Sequence, residues 1–247
     1  MGTMLKVAIV LVGGCLNPLS ACAADNGIFS VTVGGQLHFF RCFAEGRIAN
    51  SHQLVASSGW KGLSKAFAAG DGIYTITRDG ALHYFERFPN GRISQDHKTI
   101  ASSGWQGLEH AFGAGSGFYT ITGSGELHFF ECLQDGRIAG SPKVVAPSGW
   151  KGLDKSFGTD NGIYTITSNG QLHFFNRRVD GSLVGAGPTL IASSGWSGLQ
   201  HVFAAGNGIY TITQNGQLHF FESLPNGTVR GPVVIANSGW RGIKHAF

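Results

Sequence analysis

Every tryptophan of this chain follows a Ser-Gly pair, and the five Ser-Gly-Trp copies recur at a near-constant interval. Trp60, Trp105, Trp150, Trp196 and Trp240 are 45, 45, 46 and 44 residues apart. Around them a longer phrase repeats: VASSGWKGLSKAF, IASSGWQGLEHAF, VAPSGWKGLDKSF, IASSGWSGLQHVF and IANSGWRGIKHAF. A fixed period of roughly 20–50 residues means that one supersecondary unit is stacked on copies of itself, because a single copy cannot bury its own apolar surface. This constraint precedes any local reading.

Within one period, from Trp60 to Ser103, the pattern is that of short strands. KAFAA (Lys65–Ala69) is short and apolar, and GDG turns the chain. GIYTIT (Gly72–Thr77) is β-branched and aromatic, which suits a pleated sheet. RDGA places Asp-Gly at a tight two-residue turn that needs positive φ, and other copies read SNGQ and QNGQ. LHYFERF (Leu82–Phe88) is the third strand, PNGR turns again, and KTIA (Lys98–Ala101) is the fourth. No copy carries an apolar stripe at helical spacing. With 39 glycines, 13% charged and 42% apolar residues, the chain is too apolar for disorder and is punctuated like an all-β protein.

Four antiparallel strands per period make a propeller blade. The first strand-like stretch past residue 25 is GIFSVT, a blade's second strand, and the final KHAF is a first strand. Lys244–Phe247 therefore completes the blade that Gly27–Thr32 opens. Such pairing closes a toroid, whereas a solenoid would show distinct capping repeats. The predicted fold is an all-β, five-bladed β-propeller of four-stranded antiparallel blades, one domain over residues 25–247, closed by the C-terminal strand.

Residues 1–24 read as an export signal: Lys6, an apolar run over Val7–Val12, then small residues at Ala21–Ala24. Two processing routes stay open. Ala21-Cys22-Ala23 fits a small-x-small cleavage site and release from the cell. Leu19–Cys22 (LSAC) resembles a lipobox, which would lipidate Cys22 and anchor the protein at the cell envelope; a membrane contact is expected only by that route. Cys42 and Cys132 occupy equivalent places in non-adjacent repeats, too far apart to bridge, and are expected as free thiols.

The remaining chemistry is sparse. His38, His83, His128, His173 and His219 recur in the third strand, but equivalent positions on different blades diverge, so they do not form a metal cluster. His110, His201 and His245 alternate with Lys65 and Lys155 at another repeated position, which reads as solvated or channel-facing. Carboxylates are few, sit mostly at turns, and form no acid pair peculiar to one blade, so a glycosidase-like site is not expected. No Ser/His/Asp motif or phosphate-cradling loop occurs. The reading is therefore non-enzymatic, with no cofactor and no metal. The net charge of +4 comes without basic runs and does not point to nucleic acid. For the tryptophans two readings stand: wedges filling the gaps between blades, or aromatic walls for a sugar ring. In the second, the preceding Ser-Gly offers hydroxyl and backbone N–H groups at a place a ligand can approach.

The phrase IASSGWxGLxxAF, followed by GxGIYTIT and xGxLHFF, resembles the repeat of the tachylectin-type five-bladed propeller lectins, and the resemblance spans Gly27–Phe247. It implies binding of N-acetylated amino sugars of the GlcNAc/GalNAc type, about one site per blade. Each site would combine the segment entering a blade with the loop beside that blade's outermost strand. The first part falls on Ser58-Gly59-Trp60, Ser103-Gly104-Trp105, Ser148-Gly149-Trp150, Ser194-Gly195-Trp196 and Ser238-Gly239-Trp240. The second falls near Asn90, Asp135, Asp180 and Asn226, and near Glu45 for the closing blade. One difference stands out: the family's outer loop carries Asp-Asn-Trp, whereas here it reads Asn/Asp-Gly with no second tryptophan. The expectation is a secreted, monomeric, multivalent lectin. The rival is a propeller that binds proteins through its faces or rim without sugar.

Overall fold

The structure, a computed structural model, describes residues 27–185 and 187–247; the leader and its two processing routes lie outside them. Twenty strands form five four-stranded antiparallel sheets. Blade 1 comprises Leu63–Ala69, Gly72–Thr77, Leu82–Glu86 and Lys98–Ala101, from axis to rim. Blade 2 comprises Leu108–Ala114, Gly117–Thr122, Leu127–Glu131 and Lys143–Ala146. Blade 3 comprises Leu153–Gly158, Gly162–Thr167, Leu172–Asn176 and Thr189–Ala192. Blade 4 comprises Leu199–Ala205, Gly208–Thr213, Leu218–Ser223 and Val229–Ala236. Blade 5 takes its inner strand, Ile243–Ala246, from the C-terminus and its other three, Gly27–Thr32, Leu37–Arg41 and Gln53–Ala56, from the first described residues.

The burial pattern explains the composition. In every blade the second strand is buried at its first five positions, because a sheet lies against each of its faces. The third strand alternates: Leu82 and Tyr84 are sealed, while His83 and Phe85 are partly open. The inner strands touch one another in sequence, blade 1 to 2 to 3 to 4 to 5 and back to 1, so the ring is closed. Closure is made by Ser30 against Ala246, Val31 against His245 and Thr32 against Ile243. Phe29 and Phe247 then exchange backbone N–H···O bonds of 2.8 and 3.0 Å, and their rings stack at 6.0 Å.

Neighbouring blades are held by a repeated contact. The buried second-strand tyrosines donate across the junction to a glycine carbonyl in the next blade's outer loop. Tyr74 reaches Gly136 at 2.8 Å, Tyr119 reaches Gly181 at 2.7 Å, Tyr164 reaches Gly227 at 2.9 Å and Tyr210 reaches Gly46 at 3.0 Å. Burial pushes all four phenol pKa values up, so they remain donors. The accepting glycines have little choice of residue. At Gly136, φ is +80° and a Cβ would lie 2.2 Å from the ring of Tyr84 in blade 1. The loop must be glycine to close on its neighbour. At the junction of blades 5 and 1 the tyrosine position is Phe29, which has no hydroxyl to offer Gly91. Cys42 and Cys132 sit at these junctions as free thiols, with Tyr210 Oη 3.5 Å from Cys42 Sγ.

Three outcomes are expected from denaturant unfolding. Tyr119→Phe leaves the buried Gly181 carbonyl unpaired and should lower stability by about 1–2 kcal/mol, whereas Phe29→Tyr should raise it by about 1 kcal/mol by completing the fifth contact. Removing residues 244–247 takes away part of blade 5's inner strand and the buried Phe247, and should lower stability by roughly 3–5 kcal/mol. A truncated chain as stable as the full one would refute closure by this strand.

Candidate functional site

Each Ser-Gly-Trp segment runs from the outermost strand of one blade to the inner strand of the next. The tryptophan backbone N–H donates to a turn carbonyl of the blade being left: Trp60 to Gly35, Trp105 to Gly80, Trp150 to Gly125, Trp196 to Gly170 and Trp240 to Gly216, all at 3.1–3.2 Å. This bond turns the indole inward between the blades. There it packs on a third-strand phenylalanine of the blade it enters. The ring centroids lie 4.9 Å apart for Trp60–Phe85, 4.8 Å for Trp105–Phe130, 4.5 Å for Trp150–Phe175, 4.7 Å for Trp196–Phe221 and 4.6 Å for Trp240–Phe40. Trp60, Trp150, Trp196 and Trp240 are only 5% exposed and belong to the apolar clusters between sheets. The wedge reading holds for these four. Trp105 is more open.

The residues before each tryptophan are exposed: Ser58-Gly59, Ser103-Gly104, Ser148-Gly149, Ser194-Gly195 and Ser238-Gly239. These glycines hold φ between +95° and +101°, and a Cβ on any of them would meet nothing within 4 Å. Glycine is required here by backbone conformation, with clear space above it.

The outer-loop positions stand nearby but spend part of their chemistry on their own loops. A side-chain oxygen of Asn90, Asp135, Asp180 and Asn226 accepts the backbone N–H two residues on, from Arg92, Arg137, Ser182 and Thr228, at 3.0–3.1 Å. These are Asx turns. Asp135 is held below the usual carboxylate range first by the Arg137 N–H and then by the Arg137 guanidinium, whose Nε lies 2.6 Å away. Asp180 is lowered first by Lys143, whose Nζ lies 2.7 Å away, and then by Ser182. Glu45 takes the left-handed conformation itself, with φ of 61°.

Between blades 1 and 2 these parts frame a cavity of about 510 Å³. Lys98–Ala101 of the blade 1 rim forms one wall. Trp105 and Phe130 form an aromatic wall, and Arg137, Ile138 and Gly140 of the blade 2 loop complete it. Lys98 crosses the junction to donate to the Asp135 carbonyl at 2.9 Å. The structure thus brings Trp105 and the segment that follows Asp135 to one groove, with Asp135 itself outside its lining. Ser103 and Gly104 are on its approach rather than in its lining. Lys98, Thr99, Phe130 and Arg137 are additions that the repeat phrase did not single out. Their signal was present: the rim strand and the Phe two residues after His occupy fixed places in every copy.

The third-strand histidines stay on separate blades, and among the described residues no cluster of three or more potential metal ligands occurs. Burial, then a neighbouring imidazole (His52 or His97), holds His38 and His83 below the ordinary histidine pKa. His83 Nδ1 lies 3.3 Å from the Thr99 hydroxyl.

No curated protein sequence matches the chain. Among similar solved structures, Prp20p of Saccharomyces cerevisiae has a TM-score of 0.46 at 13% identity, covering 86% of this chain and 62% of that one. The BP39L lectin of Burkholderia pseudomallei has a TM-score of 0.46 at 16% identity, covering 85% and 66%. Human WBSCR16 has a TM-score of 0.45 at 12% identity, covering 87% and 66%. This chain therefore spans less than two thirds of the length of Prp20p. The decisive comparison is with protein families: the model described as Tachylectin matches residues 48–245, well over half of the sequence, and the chain belongs to the Tachylectin family.

Proposed function

We propose that this protein is a lectin that binds N-acetylated amino sugars in the grooves between its blades, without catalysis, cofactor or metal. Family membership supports carbohydrate binding. The observation that carries the location is the groove at Trp105, where an indole face, a phenyl ring, two cationic side chains and exposed backbone meet in one cavity. A sugar ring packs its C–H face on such an aromatic wall and directs its hydroxyls to the polar edge. The indole, its phenylalanine and the exposed Ser-Gly backbone recur at Ser58–Trp60 with Asn90, Ser148–Trp150 with Asp180, Ser194–Trp196 with Asn226, and Ser238–Trp240 with Glu45, whereas the pair of cations is particular to the Trp105 groove: the other junctions pair Gln53 with Arg92, Lys143 with Ser182, Thr189 with Thr228 and Val233 with Arg47. By the repeat we assign about one site per blade, with the open groove at Trp105 filling first because the other four indoles are largely buried. Weak sites on one rigid ring gain roughly 100–10,000-fold by avidity on a glycan array. Such a protein works outside the cell. We assign residues 1–24 as its export signal, with Cys22 as the anchor if the lipobox route is used.

A second reading has its own support. The rim strands expose Leu54, Val144, Leu190 and Val234 at matching places, which suits a protein partner around the edge. The two are separated by titrating the full protein with N-acetylglucosamine and N-acetylgalactosamine and screening it on a glycan array. A lectin should bind with a stoichiometry of several sugars per chain. Ser103→Gln, at an exposed position, should remove about one site with stability changed by less than about 0.5 kcal/mol. Arg137→Ala should weaken the same site alone, because distant sites are independent. A wild type that binds no glycan would leave the tryptophans as wedges only and favour the rim.

A further inference from the structure

The inner strands bring one repeated position to the same level of the central axis. Lys65, His110, Lys155 and His201 pair with Ile76, Ile121, Ile166 and Ile212 of their blades' second strands, and His245 pairs with Val31. All five lie just past the same bulge, so they are level around the ring. Two of the histidines reach sideways to the next blade. His110 Nε2 lies 3.2 Å from the Leu153 carbonyl oxygen, and His201 Nε2 lies 3.0 Å from that of Ile243. His245 Nε2 is buried and faces the Leu63 carbonyl of the next blade outside strict hydrogen-bond geometry.

One residue nearer the mouth stand Ser64, Glu109, Asp154, Gln200 and Lys244. Asp154 pairs with Lys155 at 2.8 Å, and Lys244 Nζ donates to the carbonyls of Lys61 and Leu63. On the side of blades 2, 3 and 4 a cavity of about 680 Å³ adjoins this ring, reaching two of its members, His110 and Lys155, together with Glu109, Asp154 and Gln214. Three lysines (65, 155 and 244) against two carboxylates (109 and 154) leave one positive charge in surplus with neutral histidines, and four with all three histidines protonated.

Such a ring opposes its own charging. Burial is the main reason that Lys65, His110, His201 and His245 are held below their ordinary pKa values. The neighbouring carbonyls of Leu153, Ile243 and Leu63, and Glu109 beside His110, act the other way, while the ring's own cations add to the lowering: Lys65 and Lys155 on His110, Lys155 on His201, and Lys244, His201 and Lys65 on His245, which falls to about 4. Packing alone does not call for it, since apolar side chains would fill the same places without desolvating charge.

We propose that the central channel is an anion site, taking a small free oxyanion of the sulfate or phosphate class between Lys65, Lys155 and the three histidines. An imidazole whose Nε2–H donates to a carbonyl keeps Nδ1 as an acceptor; protonation makes Nδ1 a donor as well. A dianion on the axis favours that protonation, so binding takes up protons and is tighter at low pH. This site is independent of the sugar grooves.

Calorimetric titration of the full protein with sodium sulfate, against chloride at constant ionic strength, tests the idea. Sulfate stays a dianion between about pH 5 and pH 8, so any change over that range comes from the protein. We expect one sulfate per ring, bound more tightly at pH 5 than at pH 8 and more tightly still toward pH 4, since a histidine pKa raised by one unit contributes its full factor of about ten only below the sulfate-free pKa. Lys65→Met and His201→Gln should each weaken binding. Proton NMR of the wild-type imidazoles gives a readout that needs no variant: sulfate should raise the titration midpoints of His110, His201 and His245. The sign in stability agrees. Lowered histidine pKa values make the unfolded chain the better proton binder, so stability falls as pH drops from 6.5 toward about 4, and sulfate should lessen that fall. No saturable sulfate binding beyond chloride, an affinity independent of pH, unmoved midpoints, or an unchanged affinity in folded Lys65→Met would each overturn the assignment.

Discussion

A sheet that is apolar on both faces can be buried only between two others. Each second strand here, of the GIYTIT type, meets that condition at its first five positions. The demand passes from blade to blade and ends only when the last sheet meets the first. Everything else in the molecule serves this requirement. The shared fifth blade satisfies it through the backbone, and the tyrosine-to-glycine bonds satisfy it at the rim side of the other four junctions.

The candidate sugar grooves are a by-product of the same geometry. Flat sheets arranged as spokes separate as they leave the axis, and the widening gap must be filled or left open. Tryptophan fills its inner part, and the phenylalanine beside it continues the filling outward. Past that point the gap belongs to solvent or ligand. The exposed Ser-Gly pair and the Asx-turn loop stand at that border, so one indole can be a wedge on one side and a wall on the other.

The period, blade count and ring closure were legible because they depend on spacing and on residue type alone. Gly72–Thr77 and Lys98–Ala101 form strands over the same residues that the pattern marks out. The third strand is shorter than its apolar run, ending at Glu86. Beyond it Arg87 bridges to Ile93 and Phe88 closes a turn with Arg92, so those residues serve the loop. Asn90 and its equivalents were legible as turn residues, but the carbonyl that the following glycine offers a neighbouring tyrosine was not. That contact joins residues about 62 positions apart and needs the blades in register. The interchange of lysine and histidine at one position pointed to the channel. That the five stand level, each within reach of the next, became visible only through the strand pairing.

The closing strand has a further consequence. Ile243–Ala246 is joined to the rest of its blade by hydrogen bonds and packing, with the whole of blades 1–4 as its tether. It is in effect a built-in ligand for a three-stranded acceptor, present at the millimolar-scale effective concentration that such tethering sets. The same acceptor exists on every other copy of the chain. Exchange of this strand between molecules is therefore governed by one ratio, that of protein concentration to effective concentration. In dilute solution the ratio keeps each ring self-closed; in a crowded, partly unfolded population it favours linked rings.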